Sequence, residues 1–277
     1  MSIIIKAPSS SGTQYTINPP QWGYSVTINL PLVITRTRAG SVLVYDRGSD
    51  YDYRILECTF LLSLSETNTL INLCKDAAKG RDANVDFIIS SGCGFFPFGP
   101  DKGDDGTFRA RILSVDAQAS IGHPQDLFQT TLTCIFNGTY PSFSFPELKS
   151  EGSLTIGAVS GLRYPQNMHE QKNTYNITPV LTGNGTPYTI DKTSGDVYES
   201  SFDLSLNYPN MAKLINELSV TVRGAAVNIV SPANSYMFGR ENSSTATYSC
   251  KMLQKEITIT HNNYNDFSTN ITFYRVS

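Results

Sequence analysis

Two short stretches of this chain, Phe60-Leu61-Leu62-Ser63-Leu64 and Phe202-Asp203-Leu204-Ser205-Leu206, carry the pattern that decides the fold. Each places apolar residues at alternate positions, which is the period of a β-strand with one buried face. About 140 positions separate the two stretches in the 277-residue sequence. A recurring pattern at one separation is typical of an internal repeat, so further matches are expected at a similar offset.

The segments that follow predict one short helix in each half. Leu70-Ile71 and Leu214-Ile215 each open an apolar stretch that ends at a glycine, Gly80 or Gly224. Glycine at this place is typical of a helix C-cap. The second helix is predicted to begin near Pro209, because proline suits the first helical turn. The first is predicted to span two to three turns from apolar residues spaced by three and four: Leu70, Leu73, Cys74 and Ala77.

Further segments match in the same order, with small changes of offset. Two β-rich halves that align only loosely would not share the helix position, so we interpret the chain as a duplicated unit. The matches are Val85–Ile89 with Val227–Val230, Phe96–Gly99 with Tyr236–Gly239, Arg109–Leu113 with Ser249–Leu253, Thr131–Phe136 with Asn270–Tyr274, Tyr24–Ile28 with Tyr175–Thr178, and Tyr45–Arg47 with Ile190–Lys192.

The segment 137–152 interrupts the repeat with two prolines and two glycines, which is the composition of a linker. We therefore expect two tandem domains, residues 1–145 and 146–277. Each half consists of short strands and one short helix. This predicts a mostly β fold of β-sandwich or small barrel type, in which the helix covers an end or edge of the sheet.

The amino-acid composition argues against some classes of function, nucleic-acid binding above all. Hydrophobic residues make up 40% and charged residues 16%, below the roughly 25% charged content usual for a globular domain. The 21 Lys and Arg do not exceed the 24 Asp and Glu, whereas a nucleic-acid binder usually shows a basic excess. We therefore expect a neutral-polar surface rich in Ser, Thr and Asn, and no sequence-specific nucleic-acid binding.

We find no targeting signal in the sequence, and together with the cysteine pattern this predicts a soluble protein of the cytoplasm. The apolar run Ile3-Ile4-Ile5 is shorter than the core of a signal peptide. No stretch approaches the roughly 20 apolar residues that span a bilayer, so we expect no membrane-spanning segment. The five cysteines are odd in number and form no CxxC pair, which predicts buried free thiols rather than disulfides or a zinc site.

The sequence contains no HExxH, GxSxG, P-loop or GxGxxG motif. His123, His169 and His261 lie in polar stretches and are expected to be exposed loop residues. The loop Asp101-Lys102-Gly103-Asp104-Asp105 is interpreted as a hairpin loop. An ion site is the alternative, because Asp101, Asp104 and Asp105 offer oxygen ligands. We assign no catalytic, cofactor-binding or metal-ligating residue and predict that the chain is not an enzyme.

The aromatic run from Gly92 to Pro100 resembles a stacking platform for bases or sugars, but no cation lies within the run. We expect this run, like Trp22, to pack in the core or at a subunit contact.

The order of strand, helix ending in glycine, strand, aromatic turn and strand resembles the tail-tube and distal-tail class of bacteriophage proteins, which includes baseplate-hub components. The resemblance covers most of the chain. Its carriers are Leu70–Gly80, Val85–Ile89, Phe96–Pro100 and Phe108–Ile112, with Leu214–Gly224, Val227–Val230, Phe238-Gly239 and Tyr248–Leu253 in the second half. The second copy replaces the arginine-rich strand with one that carries Cys250 and Lys251.

This resemblance implies two tandem tail-tube-like domains that build a ring around the tail channel, with the helix on the outside. The ring would be a trimer with pseudo-sixfold symmetry or a hexamer, made by edge pairing between subunits. It would belong to the virion tail, be assembled in the host cytoplasm, and contact other tail-tube and baseplate proteins. Two other functions stay open: a β-sandwich protein that binds carbohydrate or a receptor, and a baseplate hydrolase.

Overall fold

The computed structural model describes residues 2–7, 12–20, 23–36, 42–48, 52–77, 84–119, 127–136, 143–165, 170–174, 177–181, 187–191, 197–238, 240–263 and 265–276. For residues 36, 76–77, 170–174, 177–181, 187–191 and 197 it describes the backbone alone. His123, His169, Gly80, Trp22 and Gly239 lie outside the described residues, so the predictions made for them remain predictions.

The fold is mostly β, with one short α-helix in each half, as the sequence predicts. The elements of the first half are β1 Ile3–Ala7, β2 Thr13–Ile17, β3 Ser25–Asn29, β4 Leu32–Arg36, β5 Val42–Asp46, β6 Tyr53–Ser63, α1 Leu64–Asn72, β7 Val85–Ile89, β8 Gly106–Ala119 and β9 Leu127–Phe136.

The second half begins after an irregular segment. Its elements are β10 Leu154–Ile156, β11 Val159–Leu162, β12 Glu170–Thr174, β13 Ile177–Leu181, β14 Pro187–Asp191, β15 Val197–Leu206, α2 Tyr208–Asn216, β16 Val227–Ser231, β17 Ser235–Met237, β18 Arg240–Asn242, β19 Ala246–Met252, β20 Glu256–Asn263 and β21 Asp266–Arg275.

The two halves use the same strand order. In the first half the order is β2-β1-β7-β8-β9-β6-β3, and every neighbouring pair is antiparallel. In the second half it is β11-β10-β16-β19-β21-β15-β12, and again every pair is antiparallel. Each half also carries a separate two-stranded hairpin at the same place in the chain, β4–β5 and β13–β14. The repeat seen in the sequence is therefore a repeat of topology.

One strand of the first half corresponds to two strands of the second. The 14-residue β8 pairs with β7 through its first part and with β9 along nearly its whole length. In the second half β19 pairs with β16, and β20 continues the same path beside β21. β19 and β20 together thus take the place of β8.

The helices begin and end at matching places. Each has nine residues and continues as a π-helical segment, Leu73–Ala77 after α1 and Glu217–Val222 after α2. α2 begins at Tyr208, which confirms the predicted start near Pro209. Leu64 lies in α1 rather than in the predicted strand, because Ser63 caps the helix and ends β6.

The upstream match of Tyr24–Ile28 with Tyr175–Thr178 is wrong in register. Pairing with β15 makes β12 the counterpart of β3, since β3 pairs with β6 in the same way. Ile177 begins β13, the counterpart of β4. Two strands with alternating patterns can be aligned at several offsets. Aligning Tyr24 with Tyr175 therefore selected the wrong offset. In contrast, Tyr45-Asp46 and Ile190-Asp191 do end matching strands, β5 and β14.

The molecule contains two large apolar clusters. One is built from residues between Ile3 and Phe136, and the other mainly from residues between Leu154 and Phe273. The second cluster also takes in four side chains of the first half: Ile28, Leu30, Leu32 and Phe96. The two halves are therefore packed against each other through an apolar contact.

Candidate functional surface

The halves join by main-chain pairing of two strands that are far apart in sequence. β3 pairs antiparallel with β20, from Ser25 opposite Thr260 to Asn29 opposite Glu256. Because β3 belongs to the first sheet and β20 to the second, this pairing merges both into one continuous sheet. We call this contact, with the side chains around it, the junction.

Apolar side chains of the first half insert into the second half at the junction. Phe96, from the aromatic turn between β7 and β8, is only 5% exposed and belongs to the second core. Its ring lies 4.7 Å from that of Tyr208 and 5.5 Å from that of Phe267, measured between centroids. Phe95 and Phe98 of the same turn belong to the first core. The expectation that this aromatic run packs internally is confirmed for these three residues.

A charged cluster holds the first hairpin against the end of the second helix. Nε and Nη2 of Arg223 donate to the two carboxylate oxygens of Asp46 at 2.7 and 2.9 Å, and both terminal nitrogens donate to Asp52. The pKa of Asp46 is lowered by these hydrogen bonds. Gly224 follows with φ +83°, and a Cβ there would lie 2.4 Å from Val44 Cγ1. Glycine at this position thus permits the close approach of the hairpin.

His261 is buried at the junction, and the expectation of an exposed loop is wrong. It lies in β20 with 1% exposure, its Nδ1 is 2.6 Å from Tyr24 Oη, and its ring stacks on Phe267 at 4.3 Å. Tyr24 Oη also accepts a hydrogen bond from the Phe96 backbone N–H at 2.9 Å. Burial raises the pKa of Tyr24 well above its usual value. The contacts of this pair with Phe96 and Phe267 join β20 to the aromatic turn of the first half.

The acidic loop is folded onto the protein itself. Asp101 is 1% exposed, and its two carboxylate oxygens accept from Arg54 Nη1 at 2.6 Å and Nη2 at 2.8 Å. Asp104 accepts from the Gly94 backbone N–H at 3.0 Å. Within the described part of the chain, no group of three or more His, Cys, Asp or Glu is placed to hold a metal ion. The geometry favours a structural turn, here a 3₁₀ turn at Pro100–Lys102.

Sequence reasoning missed Arg54, although a signal was present. Arg54 shares the alternating register of the inward-facing residues of β6, Leu56, Cys58, Phe60 and Leu62, and is 4% exposed. A cation in a buried register requires a partner, because an unpaired buried charge is very unfavourable. The identity of that partner depends on the tertiary fold.

All five cysteines are free thiols, as predicted. Cys58, Cys134 and Cys250 are buried, and Cys74 and Cys93 are partly buried. Burial raises the pKa of every one of them, to about 12 for Cys74. A thiol with a raised pKa is a poor nucleophile at neutral pH, since the reactive form is the thiolate.

The face of the sheet that points away from the cores is polar across the junction. Its hydroxyls bond to one another: Thr27 and Thr258 Oγ1 atoms lie 3.0 Å apart across the junction, as do those of Thr59 and Thr131 within the first half. The face includes Ser25, Thr27, Asn29, Glu57, Thr59, Thr131, Thr133, Ser201, Asp203, Ser205, Thr258, Thr260, Ser268, Asn270 and Thr272. The same face also carries Ile55, Ile135 and Arg111, which lie in register with Thr27, and Lys251, which lies in register with Tyr274.

An open cleft of about 600 Å³ lies on this face in the second half. Arg163, Tyr164 and Pro165 line it, together with polar residues of β15, β20 and β21. Tyr164 Oη donates to the backbone carbonyl of Tyr236 at 2.7 Å, which fixes its ring beside the cleft. The cleft offers hydroxyl, amide and charged groups to a polar ligand.

Among the described residues the large sheet ends at β2 and β11, and further edges, including β12 and the second part of β8, also have a strand on one side only. β12 pairs with β15 on one side only. β8 pairs with β7 over Gly106–Ala110, so the part from Arg111 to Ala119 has a strand on one side, β9. These are the counterparts of the edges that meet at the junction, where β3 lies on β20.

Comparison with known proteins identifies no relative, since no family model and no curated protein matches the chain. Among the described residues, the helices are too short and too polar to cross a membrane.

Proposed function

We propose that this chain is a structural virion protein of a long-tailed bacteriophage, forming a ring at the tube end or baseplate that joins the tail tube to baseplate components. It acts by assembly rather than by catalysis. The resemblance of its repeated unit to tail-tube-like proteins supports this role, and so does the repeated strand order of the two halves.

The observation that carries the proposal is the junction. Two units with the same strand order already form one continuous sheet by pairing β3 with β20. The corresponding edges, β12 and the second part of β8, have a strand on one side only among the described residues. Head-to-tail contacts of this kind are heterologous, and they generate closed rings when the rotation between units closes.

The polar open face supports a role as the wall of a channel. Its hydroxyls bond to one another, and its charged residues include the acids Glu57 and Asp203. Hydroxyl and amide groups outnumber the charged groups on this face, and its acids are accompanied by the cations Arg111, Lys251 and Arg163. Such a polar wall suits a water-filled channel. The ring would be a trimer or hexamer in the virion tail, assembled in the host cytoplasm beside other tail-tube and baseplate proteins.

Electron microscopy tests this function. Purified protein at high concentration is expected to form rings of uniform diameter, and tails labelled with antibody against the chain should carry it at one end of the tube. A chain that stays monomeric and never enters tail particles would contradict the proposal.

The cleft favours a second candidate, a virion protein that binds carbohydrate or a receptor. Sugar hydroxyls are bound by arrangements of polar side chains in a concave site, and Asp203 and Asn270 lie in the cleft wall. A glycan array distinguishes the two functions. Binding to one glycan class that is lost in Asp203→Ala, and kept in a Glu57→Ala control outside the cleft, would favour this candidate.

A further inference from the structure

Three large apolar side chains of the described chain are strongly exposed at related places. Leu64 is 49% exposed at the start of α1, Leu113 is 55% exposed in β8, and Tyr236 is 48% exposed in β17. Each has a counterpart in the other half, at the matching position of the repeat. Of the counterparts, Phe96 is buried, and Tyr208 and Leu253 are partly buried.

The first correspondence concerns an aromatic contact. Phe96 of the first half packs on Tyr208, the first residue of α2, with 4.7 Å between ring centroids. The repeat matches Phe96 with Tyr236. Tyr208 and Leu64 correspond as the first residues of the two helices, although the sequence match of the preceding strands places Leu64 opposite Leu206. The intrachain contact thus has two exposed counterparts, one in each half of the molecule.

The second correspondence concerns the first hairpin. Val42 and Val44 of β5 form a small apolar cluster with Tyr274 and Leu253 of the second half. The repeat matches Leu253 with Leu113, which is exposed. The matching hairpin of the second half is β13–β14.

The third correspondence concerns the sheet edges. At the junction Thr27 lies opposite Thr258. Thr27 pairs with Ile55 of β6, whose counterpart in β15 is Val197, and Val197 pairs with Thr174 of β12. Thr258 lies beside Asn270, which pairs with Asp203 of β15. The counterpart of Asp203 in β6 is Leu61, which pairs with Gln129, and Gln129 pairs with Gln118 of β8. Thr174 and Gln118, the counterparts of Thr27 and Thr258, both lie on the edges that have one paired strand among the described residues.

We infer that the junction is repeated between copies. The second half of one copy docks on the first half of the next: β12 pairs with the second part of β8, Tyr236 packs on Leu64, and the β13–β14 hairpin covers Leu113. This inference rests on the proposed function in taking the chain as a ring subunit, and it names a second copy as the partner of the exposed surfaces.

The two edges and the three exposed apolar side chains fit a second copy, because the corresponding groups at the junction are in contact within the chain. Each copy then carries one donor surface on its second half and one acceptor surface on its first half. Such a contact uses the same pairings at every step around a ring. It also covers strand edges that would otherwise be prone to aggregation.

The first experiment measures the native oligomer by sedimentation velocity for wild type, Leu64→Asp and Val220→Asp. Leu64→Asp should shift the oligomer to monomer, with at least a tenfold weaker association. It should still fold, because Leu64 is exposed and an acid is favourable in a first helical turn. Val220 is the matched control, since it is 52% exposed and its counterpart in the repeat is the polar Asp76.

Each outcome decides a separate point. Wild type that stays monomeric at all concentrations, or oligomers that survive Leu64→Asp, would overturn the inference. In the second case the ring function stands. Oligomers that dissociate in Leu64→Asp but never enter tails uphold the inference and count against the proposed function. Circular dichroism of both variants confirms that the monomer is folded.

The second experiment tests the register with cysteines. Gln118→Cys combined with Thr174→Cys should give disulfide-linked dimers and higher species on a non-reducing gel, because directly opposed strand residues meet the geometry of a disulfide. Thr27→Cys combined with Thr258→Cys is the control, and it should give a linked monomer. Rings that form without any cross-link between positions 118 and 174 would contradict the proposed strand pairing.

Discussion

The ion pair between Arg54 and Asp101 joins β6 to the aromatic turn that enters the second half. Both side chains are almost fully buried, and Arg54 Nη1 also donates to the Phe98 carbonyl at 2.6 Å. Phe98 and Phe96 belong to the same turn, so the pair sets the position of the side chain that crosses the junction. Removing one member of such a pair leaves a buried charge without its counter-charge.

We predict that Asp101→Asn lowers the free energy of unfolding by about 3–5 kcal/mol, because Arg54 keeps its charge in a buried site without the carboxylate. Urea denaturation measures the change. Asp105→Asn is the control, since Asp105 is exposed in the same loop. Equal stability of the two variants would show that the Arg54 pair does not hold the turn.

The contact between Arg223 and Asp46 predicts that the free energy of unfolding depends on pH. The folded pKa of Asp46 lies below its usual value of 3.8, so its contribution to stability is present above that pH and is lost as the pH falls through the folded pKa. Asp46→Asn should lower the unfolding free energy by about 1–2 kcal/mol at pH 7. The difference from wild type should shrink below pH 4. A difference that stays constant from pH 7 to pH 3 would exclude this contact as its source.

At the scale of single residues, the sequence allowed the free thiol state of the cysteines to be predicted, but not the burial and the partners of polar residues such as Arg54 and His261. The free state of the cysteines follows from their number and setting. The pairing of Arg54 with Asp101 does not, since nothing local joins residues 47 positions apart. His261 occupies an inward register of β20, but its polar neighbours obscured that register.

At the scale of elements, both helices have a polar cap where the preceding strand ends. The Ser63 side chain accepts from the Glu66 backbone N–H at 3.3 Å, and the Glu66 side chain accepts from the Ser63 backbone N–H at 2.8 Å. In the second half Asn207 caps α2 through the Asn210 backbone N–H at 3.0 Å. Ser63 and Asn207 therefore determine where each strand ends and the following helix begins.

We predict that Ser63→Ala lowers the free energy of unfolding by about 1 kcal/mol, because the first turn of α1 loses its cap. Thermal denaturation followed by circular dichroism measures the effect. Ser63→Asp, which keeps a capping oxygen, should retain most of the stability. A loss of the same size in both variants would attribute the effect to something other than capping.

The helices and most strands could be predicted because their signals are local: alternation, helical spacing, and proline in a first turn. The pairing of β3 with β20 could not. About 230 positions separate these strands, and an alternating pattern states which face is buried but not which strand lies beside it. The same ambiguity produced the wrong register for the upstream match of Tyr24–Ile28.

At the scale of the whole molecule, two units of the same strand order are joined within one chain, as the proposed ring would require between chains. The junction merges two sheets of the same strand order, and its apolar and edge contacts have exposed counterparts at Leu64, Leu113 and Tyr236. The low charged content of 16% accords with this arrangement, since charged residues are depleted in interface cores.

Cryo-electron microscopy of the assembled protein tests this account most directly. The account predicts a closed ring in which first and second halves alternate around one continuous sheet, with β12 of each copy beside β8 of the next. Copies joined first half to first half, or a protein that remains a monomer and is missing from tail particles, would contradict it.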